Sequence, residues 1–135
     1  MMLRIVLDTN ILVSALWSPL GNASAIINLV LTDKIMPCFN QDIINEYRIV
    51  LARPKLAFSN GLANTLIKEI TDRGILVTVI PGNIPMSDES DRKFYDTAKH
   101  CDAFLITGNI KHYPKDKQII SPANFLELYL KNSGS

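Results

Sequence analysis

The sequence has few cysteines and few histidines. Cys38 and Cys101 lie in apolar stretches and lack C-x-x-C spacing. His100 and His112 likewise lack the spacing of a zinc motif. These absences argue against a disulfide framework and against a zinc site, and we expect the two cysteines to be reduced thiols in the core.

Long apolar runs, a basic leader and a strong net charge are also missing. No apolar run reaches the length of a membrane span, and the N-terminus leads directly into a predicted strand without a cleavage signature, so we expect a cytoplasmic protein. The formal net charge is only +1, so a nucleic acid would have to bind a local basic patch. With 47% hydrophobic and 20% charged residues, the composition is that of a soluble globular domain.

Strand-like and helix-like segments alternate along the chain. Hydrophobic patterning predicts strands at 3–7, 35–39, 76–80, 103–107 and 118–120. It predicts helices at 10–17, 22–31, 41–51, 59–70, 91–99 and 122–130. This alternation predicts a three-layer α/β/α sandwich around a mainly parallel central sheet. We expect one domain over residues 1–131 and a flexible tail over 132–135.

The tetrad Leu7-Asp8-Thr9-Asn10 places a carboxylate where a buried strand is predicted to end. The preceding run, residues 3–7, is almost wholly apolar, as in a strand that is covered on both faces. In an open α/β sheet, sites form at the carboxyl ends of the strands. Asp8 is therefore a candidate site residue, although an Asp at this position can equally act as the N-cap of the following helix.

Glu46 borders the apolar face of the predicted helix 41–51, so its carboxylate needs a partner. That partner is either a nearby base or a cation shared with other acids. The nearby bases are Arg48, Arg53 and Lys55.

Two further junctions carry polar groups. Asp91 opens the predicted helix 91–99, where the helix dipole alone would also favour an acid. The strand at 103–107 runs into Thr107-Gly108-Asn109, which brings a hydroxyl, a glycine and an amide oxygen to its carboxyl end. Three carboxylates and an amide without His or Cys partners form a set of hard oxygen donors, which favours Mg²⁺ or Mn²⁺ over zinc.

These features follow one another in an order typical of a known family. The order is Val6 to Ala15, Glu46, Asp91 to Ala98, Leu105 to Asn109, and Lys111 to Pro114. Over nearly the whole chain it resembles a PIN domain of the group found as toxins in toxin-antitoxin systems. The resemblance implies an α/β/α sandwich with a 5′-nuclease-like core and an endoribonuclease activity that depends on Mg²⁺ or Mn²⁺.

The resemblance also assigns roles by position. Asp8, Glu46 and Asp91 match the three main acids, which are expected to bind metal and to be catalytic. Asn109 stands where many members have a fourth Asp, so we expect its amide oxygen to complete the site, while the number of ions, one or two, stays open.

Basic and polar side chains flank the acids, and as a set they are expected to contact the substrate's phosphates. The expected substrate-binding residues are Asn10, Ser14, Arg92, Thr107, Lys111 and His112. The resemblance further implies RNA as the substrate, a cognate antitoxin protein as a partner and a homodimer, with no role for a membrane.

Three other functions are alternatives to the nuclease hypothesis. The absence of a fourth Asp is compatible with a PIN-like module that binds RNA or protein without turnover. A phosphoaspartyl enzyme with Asp8 as nucleophile would need a second acid two residues on, where Asn10 stands instead. A phosphorelay receiver domain would need an acid pair after the first strand, and this is also missing.

Overall fold

The computed structural model describes residues 2–133. In this part of the chain, five strands form one parallel sheet: β1 (Arg4–Leu7), β2 (Met36–Phe39), β3 (Ile75–Leu76), β4 (Phe104–Ile106) and β5 (Ile119–Ile120). Their order across the sheet is β3-β2-β1-β4-β5, so the chain builds outward from β1 first on one side and then on the other.

Within residues 2–133, six α-helices connect and flank these strands. They are α1 (Thr9–Trp17), α2 (Asn22–Leu31), α3 (Gln41–Leu51), α4 (Asn60–Arg73), α5 (Arg92–Cys101) and α6 (Pro122–Ser133). Helices α1 to α4 and α6 pack against one another in one layer, whereas α5 packs on β1, β2 and β4, as expected when crossovers of the usual right-handed kind cover both faces of a sheet. The predicted α/β/α architecture is therefore confirmed, with a sheet that is wholly parallel.

The strand in the middle of the sheet lies at the centre of the core. Ile5, Val6 and Leu7 of β1 are at most 1% exposed, as expected for an apolar strand with a layer on each face. Phe94 of α5 and Phe125 of α6 are fully buried. The core thus fixes β1, and with it the residue at which β1 ends.

Helix ends follow local chemistry. The hydroxyl of Ser59 accepts a hydrogen bond from the backbone N–H of Leu62, and that of Ser121 accepts one from Asn124, so both serines cap the helices that they precede. Helix α6 extends through Ser133, over two residues of the predicted tail 132–135. The rest of that tail lies outside the described residues.

The third strand is shorter than its sequence suggests. The apolar run predicts a strand over 76–80, whereas β3 covers Ile75–Leu76 and is continued only by a hydrogen bond from Val77 N–H to the Phe39 carbonyl. Because β3 is the edge of the sheet, its outer side has no strand partner within residues 2–133. Apolar, β-branched residues alone do not make a strand without a neighbour that accepts their backbone bonds.

Across residues 2–133, no single helix is both long and apolar enough to cross a bilayer. Helices α1 and α2 pass that length and composition test only when they are joined across a bend of 104°.

The close approach of Gly74 to β2 gives a first testable prediction. A Cβ atom at Gly74 would lie 2.4 Å from the Pro37 carbonyl oxygen and 2.5 Å from a Phe39 ring carbon, both of which are fixed in the core. We expect Gly74→Ala to lower the free energy of unfolding by about 2 kcal/mol through overpacking. Denaturant unfolding would check this, with Gly61→Ala as the control, since a Cβ at Gly61 has nothing within 4 Å. Equal losses in both variants would contradict the steric argument.

Candidate active site

Asp8 and Thr107 lie side by side at the carboxyl edge of the sheet. They directly follow the neighbouring strands β1 and β4, and the Asp8 N–H donates to the Ile106 carbonyl at 3.0 Å. From β1 the chain adds β2 and β3 on one side, and it then adds β4 and β5 on the other side. The crevice between β1 and β4 is therefore the topological switch point, which is where α/β folds bind ligands.

The Asp8 side chain is directed into this crevice. Asp8 occupies the N-cap position of α1, but within the described chain its carboxylate forms no well-aligned capping bond. Of the backbone N–H groups at the start of α1, that of Asn10 approaches the carboxylate. One carboxylate oxygen, Oδ2, instead accepts hydrogen bonds from the hydroxyls of Thr107 and Tyr113, each at 2.8 Å. Burial raises the pKa of Asp8 despite these two bonds, and the charge of Glu46 adds to the rise.

Glu46 comes to the same edge from α3. Its Oε2 accepts a hydrogen bond from the Thr9 hydroxyl, and its Oε1 lies 2.8 Å from Nζ of Lys93. The nearby bases considered from the sequence, Arg48, Arg53 and Lys55, form no ion pair with Glu46 among residues 2–133. The cation partner of Glu46 comes from a distant helix, α5.

Asp91 completes the group of acids. It precedes α5, but its side chain makes no capping hydrogen bond in the part of the chain that is described. Burial raises the pKa of Asp91 to about 6, and the charges of Asp8, Asp88 and Glu46 contribute to the rise. The three predicted acids therefore lie close enough to repel one another.

The acids are near one another without forming a finished ligand shell. Within residues 2–133, no three Asp, Glu, His or Cys side chains are arranged to hold one ion as they stand. The donor set still fits a hard divalent cation, since it consists of carboxylate oxygens, and of the three acids Glu46 alone forms an ion pair within residues 2–133, with Lys93.

Two predicted substrate contacts are engaged with the protein itself. The Asn10 side-chain oxygen accepts a hydrogen bond from the Gly108 N–H at 3.2 Å, which links the start of α1 to the segment after β4. The Arg92 guanidinium bonds to Glu89 and to the carbonyls of Gly82 and Ile84, so it braces the loop before α5. Substrate binding by Asn10 and Arg92 stays a prediction, and neither side chain is free in this state.

The remaining predicted residues lie on the segment that follows β4 and on α1. Thr107 is fully buried, donates to Asp8 and accepts from the Asn109 N–H at 2.9 Å. Asn109 itself is exposed at the start of a 3₁₀ turn over Ile110–His112. Lys111 and His112 lie on that turn and are exposed, and Ser14 is exposed on α1. A protonated His112 lowers the pKa of Asp91, although burial and the neighbouring acids outweigh this effect.

Apart from Thr107, sequence reasoning missed the contacts that orient the acids. Tyr113 and Thr9 donate hydrogen bonds to Asp8 and Glu46, and Lys93 pairs with Glu46. The only available signal for Tyr113 was its place in the run Lys111 to Pro114, which reads first as a basic segment. Buried Tyr47 holds the backbone just before Asp8, because its hydroxyl donates to the Leu7 carbonyl at 2.6 Å.

The bond from Tyr113 to Asp8 gives a second testable prediction. Tyr113→Phe removes one of the two hydroxyl donors that hold the Asp8 carboxylate, while the ring stays in the core. We expect the affinity for Mn²⁺ to fall about tenfold, a usual cost of removing a group that orients a ligand. Calorimetric titration would measure it, with Tyr95→Phe as control, because the Tyr95 hydroxyl bonds to Asp116 instead. An equal loss in both variants would assign Tyr113 a general packing role.

Comparison with known proteins agrees with this architecture. A family model described as PIN domain matches residues 4–111, which contain all three acids and Asn109. The chain is also similar to the uncharacterized protein MJ1680 of Methanocaldococcus jannaschii. The two are 31% identical over 122 residues, covering 88% of this chain and 74% of the relative.

Proposed function

The chain belongs to the PIN domain family, whose fold is of the nuclease type, and we propose that it is a divalent-metal-dependent endoribonuclease that hydrolyses RNA phosphodiester bonds. The observation that carries this proposal is the convergence of Asp8, Glu46 and Asp91 at the switch point of the sheet, where two of the three have raised pKa values. Such a concentration of negative charge at a ligand crevice is typical of a functional site.

Asp8, Glu46 and Asp91 would hold Mg²⁺ or Mn²⁺, with Asn109 as a neutral oxygen donor at the rim. When bound, such an ion neutralises charge on the phosphate and makes water a better nucleophile near neutral pH. The protein's own contribution is orientation. Thr107 and Tyr113 fix the Asp8 carboxylate, and Thr9 fixes that of Glu46.

A basic strip beside the acids supports a nucleic acid as the substrate. Lys111 and His112 are exposed on the turn that follows β4, and neither forms an ion pair within residues 2–133. Cations without internal partners are suited to phosphate contacts, and their position would draw the strand towards Asp91 and Asp8.

The deciding experiment is cleavage of a mixed pool of single-stranded RNAs by the purified chain. We expect cleavage with Mg²⁺ or Mn²⁺, none with EDTA, and recovery when metal is restored. A matched DNA pool tests substrate choice. If the RNA stays intact at all metal concentrations, the nuclease proposal fails.

Asn109 favours a second candidate function, an RNA-binding or protein-binding PIN module without turnover. With only three acids and Glu46 already paired with Lys93, the site offers an incoming ion fewer free charges than four carboxylates would. Binding of RNA in EDTA, at an affinity unchanged by Mn²⁺ and without cleavage, would favour this function.

The biological setting that we propose is the toxin half of a toxin-antitoxin pair, with the chain acting as a homodimer. An antitoxin is expected to be encoded in a short reading frame that abuts or overlaps this one. Co-expression should then restore growth that the chain alone inhibits, whereas growth inhibition that no neighbouring product relieves would count against the toxin role.

A further inference from the structure

The ion pair between Lys93 and Glu46 carries a further inference, which rests on the proposed function. Lys93 Nζ lies 2.8 Å from Glu46 Oε1, and both side chains are largely shielded, at 19% and 25% exposure. Thr9 donates to the other oxygen of Glu46, so each oxygen of this carboxylate has one partner in the protein and keeps a lone pair for an ion. We propose that Lys93 is a built-in second cation: it holds Glu46, limits the site to one divalent ion, and offers its ammonium to the scissile phosphate.

The charges of the site match this arrangement. Asp8, Glu46 and Asp91 carry three negative charges, which one divalent ion and one ammonium balance in full. The position after β4 that would add a fourth acid is the neutral Asn109. A second divalent ion beside Lys93 would make the centre positive and would have to displace the ammonium from Glu46.

The ammonium is held in place from several sides. Besides Glu46, Nζ donates to the Ser90 carbonyl, and it lies 5.3 Å from the centre of the Phe94 ring. A lysine ammonium has three N–H donors, so one is left without a partner among the described residues. That donor, fixed beside the acids, is available to a phosphate oxygen.

The neighbouring Arg92 cannot substitute for Lys93. Its guanidinium is occupied by Glu89 and by the backbone of the loop before α5. Among the cations at the start of α5, Lys93 alone contacts one of the three site acids in the described part of the chain. The two adjacent bases thus have different tasks, one in the loop and one in the site.

The test compares Lys93→Gln with the wild type in two separate measurements. Without RNA, calorimetric titration should show that Lys93→Gln binds Mn²⁺ about tenfold more tightly, because the competing positive charge has gone and Glu46 is released. At saturating Mn²⁺, RNA cleavage should nevertheless fall about 100-fold, since a donor aimed at the phosphate is lost. Tighter metal binding together with slower cleavage is a combination that a merely structural ion pair would not give.

Two further variants make the test sharper. Lys93→Arg keeps the cation and should retain the wild-type Mn²⁺ affinity. Lys99 lies on the same helix as Lys93 and forms an ion pair with Asp116 at 2.8 Å. Lys99→Gln breaks that pair and should change neither the Mn²⁺ affinity nor the cleavage rate.

Each remaining outcome counts against the proposal. Unchanged or weaker Mn²⁺ binding by Lys93→Gln, in a protein that cleaves RNA, would overturn this inference and leave the proposed function standing. Undiminished cleavage by Lys93→Gln would likewise remove the catalytic part of the inference. A wild-type chain that binds no Mn²⁺ and cleaves no RNA would overturn the proposed function and this inference together.

Discussion

Replacing Asp8 by Asn should reduce Mn²⁺-dependent RNA cleavage by about 10³-fold or more. Asp8 is the acid at the switch point, and its carboxylate is fixed by Thr107 and Tyr113. An amide keeps the shape but loses the charge that would hold the ion. Since metal catalysis is worth several kcal/mol and each 1.36 kcal/mol is a factor of ten in rate, a loss of this size follows.

The fold should survive this substitution. Asp8 is 7% exposed, and burial raises its pKa, so removing the charge also removes a cost of folding. The Asn oxygen can accept the hydroxyls of Thr107 and Tyr113 as Oδ2 does. Cleavage rates and thermal unfolding would be measured together with Asp102→Asn, which makes the same change at the far, exposed end of α5. Asp8→Asn cleaving within threefold of the wild type would remove Asp8 from the site.

The architecture could be predicted from the sequence because it depends on local patterns. The apolar run at 3–7 predicts a strand covered on both faces, and β1 is such a strand. The spacing of apolar residues over 22–31 and 41–51 gives α2 and α3 with the predicted ends. The prediction failed at 76–80, because strand length at a sheet edge depends on a neighbour that no local pattern reveals.

The acids of the site could likewise be predicted from local sequence, whereas the residues that orient them could not. Asp8 and Asp91 are predictable because each stands at a junction between predicted elements. The contact of Tyr113 with Asp8 spans 105 residues and that of Thr9 with Glu46 spans 37, so both depend on the finished fold. Lys93 reads as one of several bases near Asp91 until the packing of α5 against α3 brings it to Glu46.

Replacing Asp91 by Asn should abolish most of the cleavage and yet make the metal-free protein more stable at neutral pH. In the fold, burial and the charges of Asp8, Asp88 and Glu46 raise the pKa of Asp91 from 3.8 to about 6. The folded state thus favours the protonated acid. The contribution of Asp91 to stability is therefore fully present below pH 3.8 and is lost as the pH rises through about 6.

Unfolding in EDTA at two pH values tests the sign of this effect. At pH ~7.5 the Asp91→Asn variant, which cannot ionise, should exceed the wild type in free energy of unfolding by about 1 kcal/mol, a value reduced for solvent screening of a partly exposed carboxylate. Near pH ~4 the difference should shrink towards zero, because most wild-type Asp91 is then protonated. Asp102→Asn, the same change at an exposed position at the other end of α5, is the matched control. Saturating Mn²⁺ should reverse the order at pH ~7.5, since ligand binding stabilises the wild type more than a variant with one charge fewer at the ion. An Asp91→Asn variant that is less stable than the wild type in EDTA at pH ~7.5 would mean that Asp91 serves the fold and is not a strained acid kept for the ion.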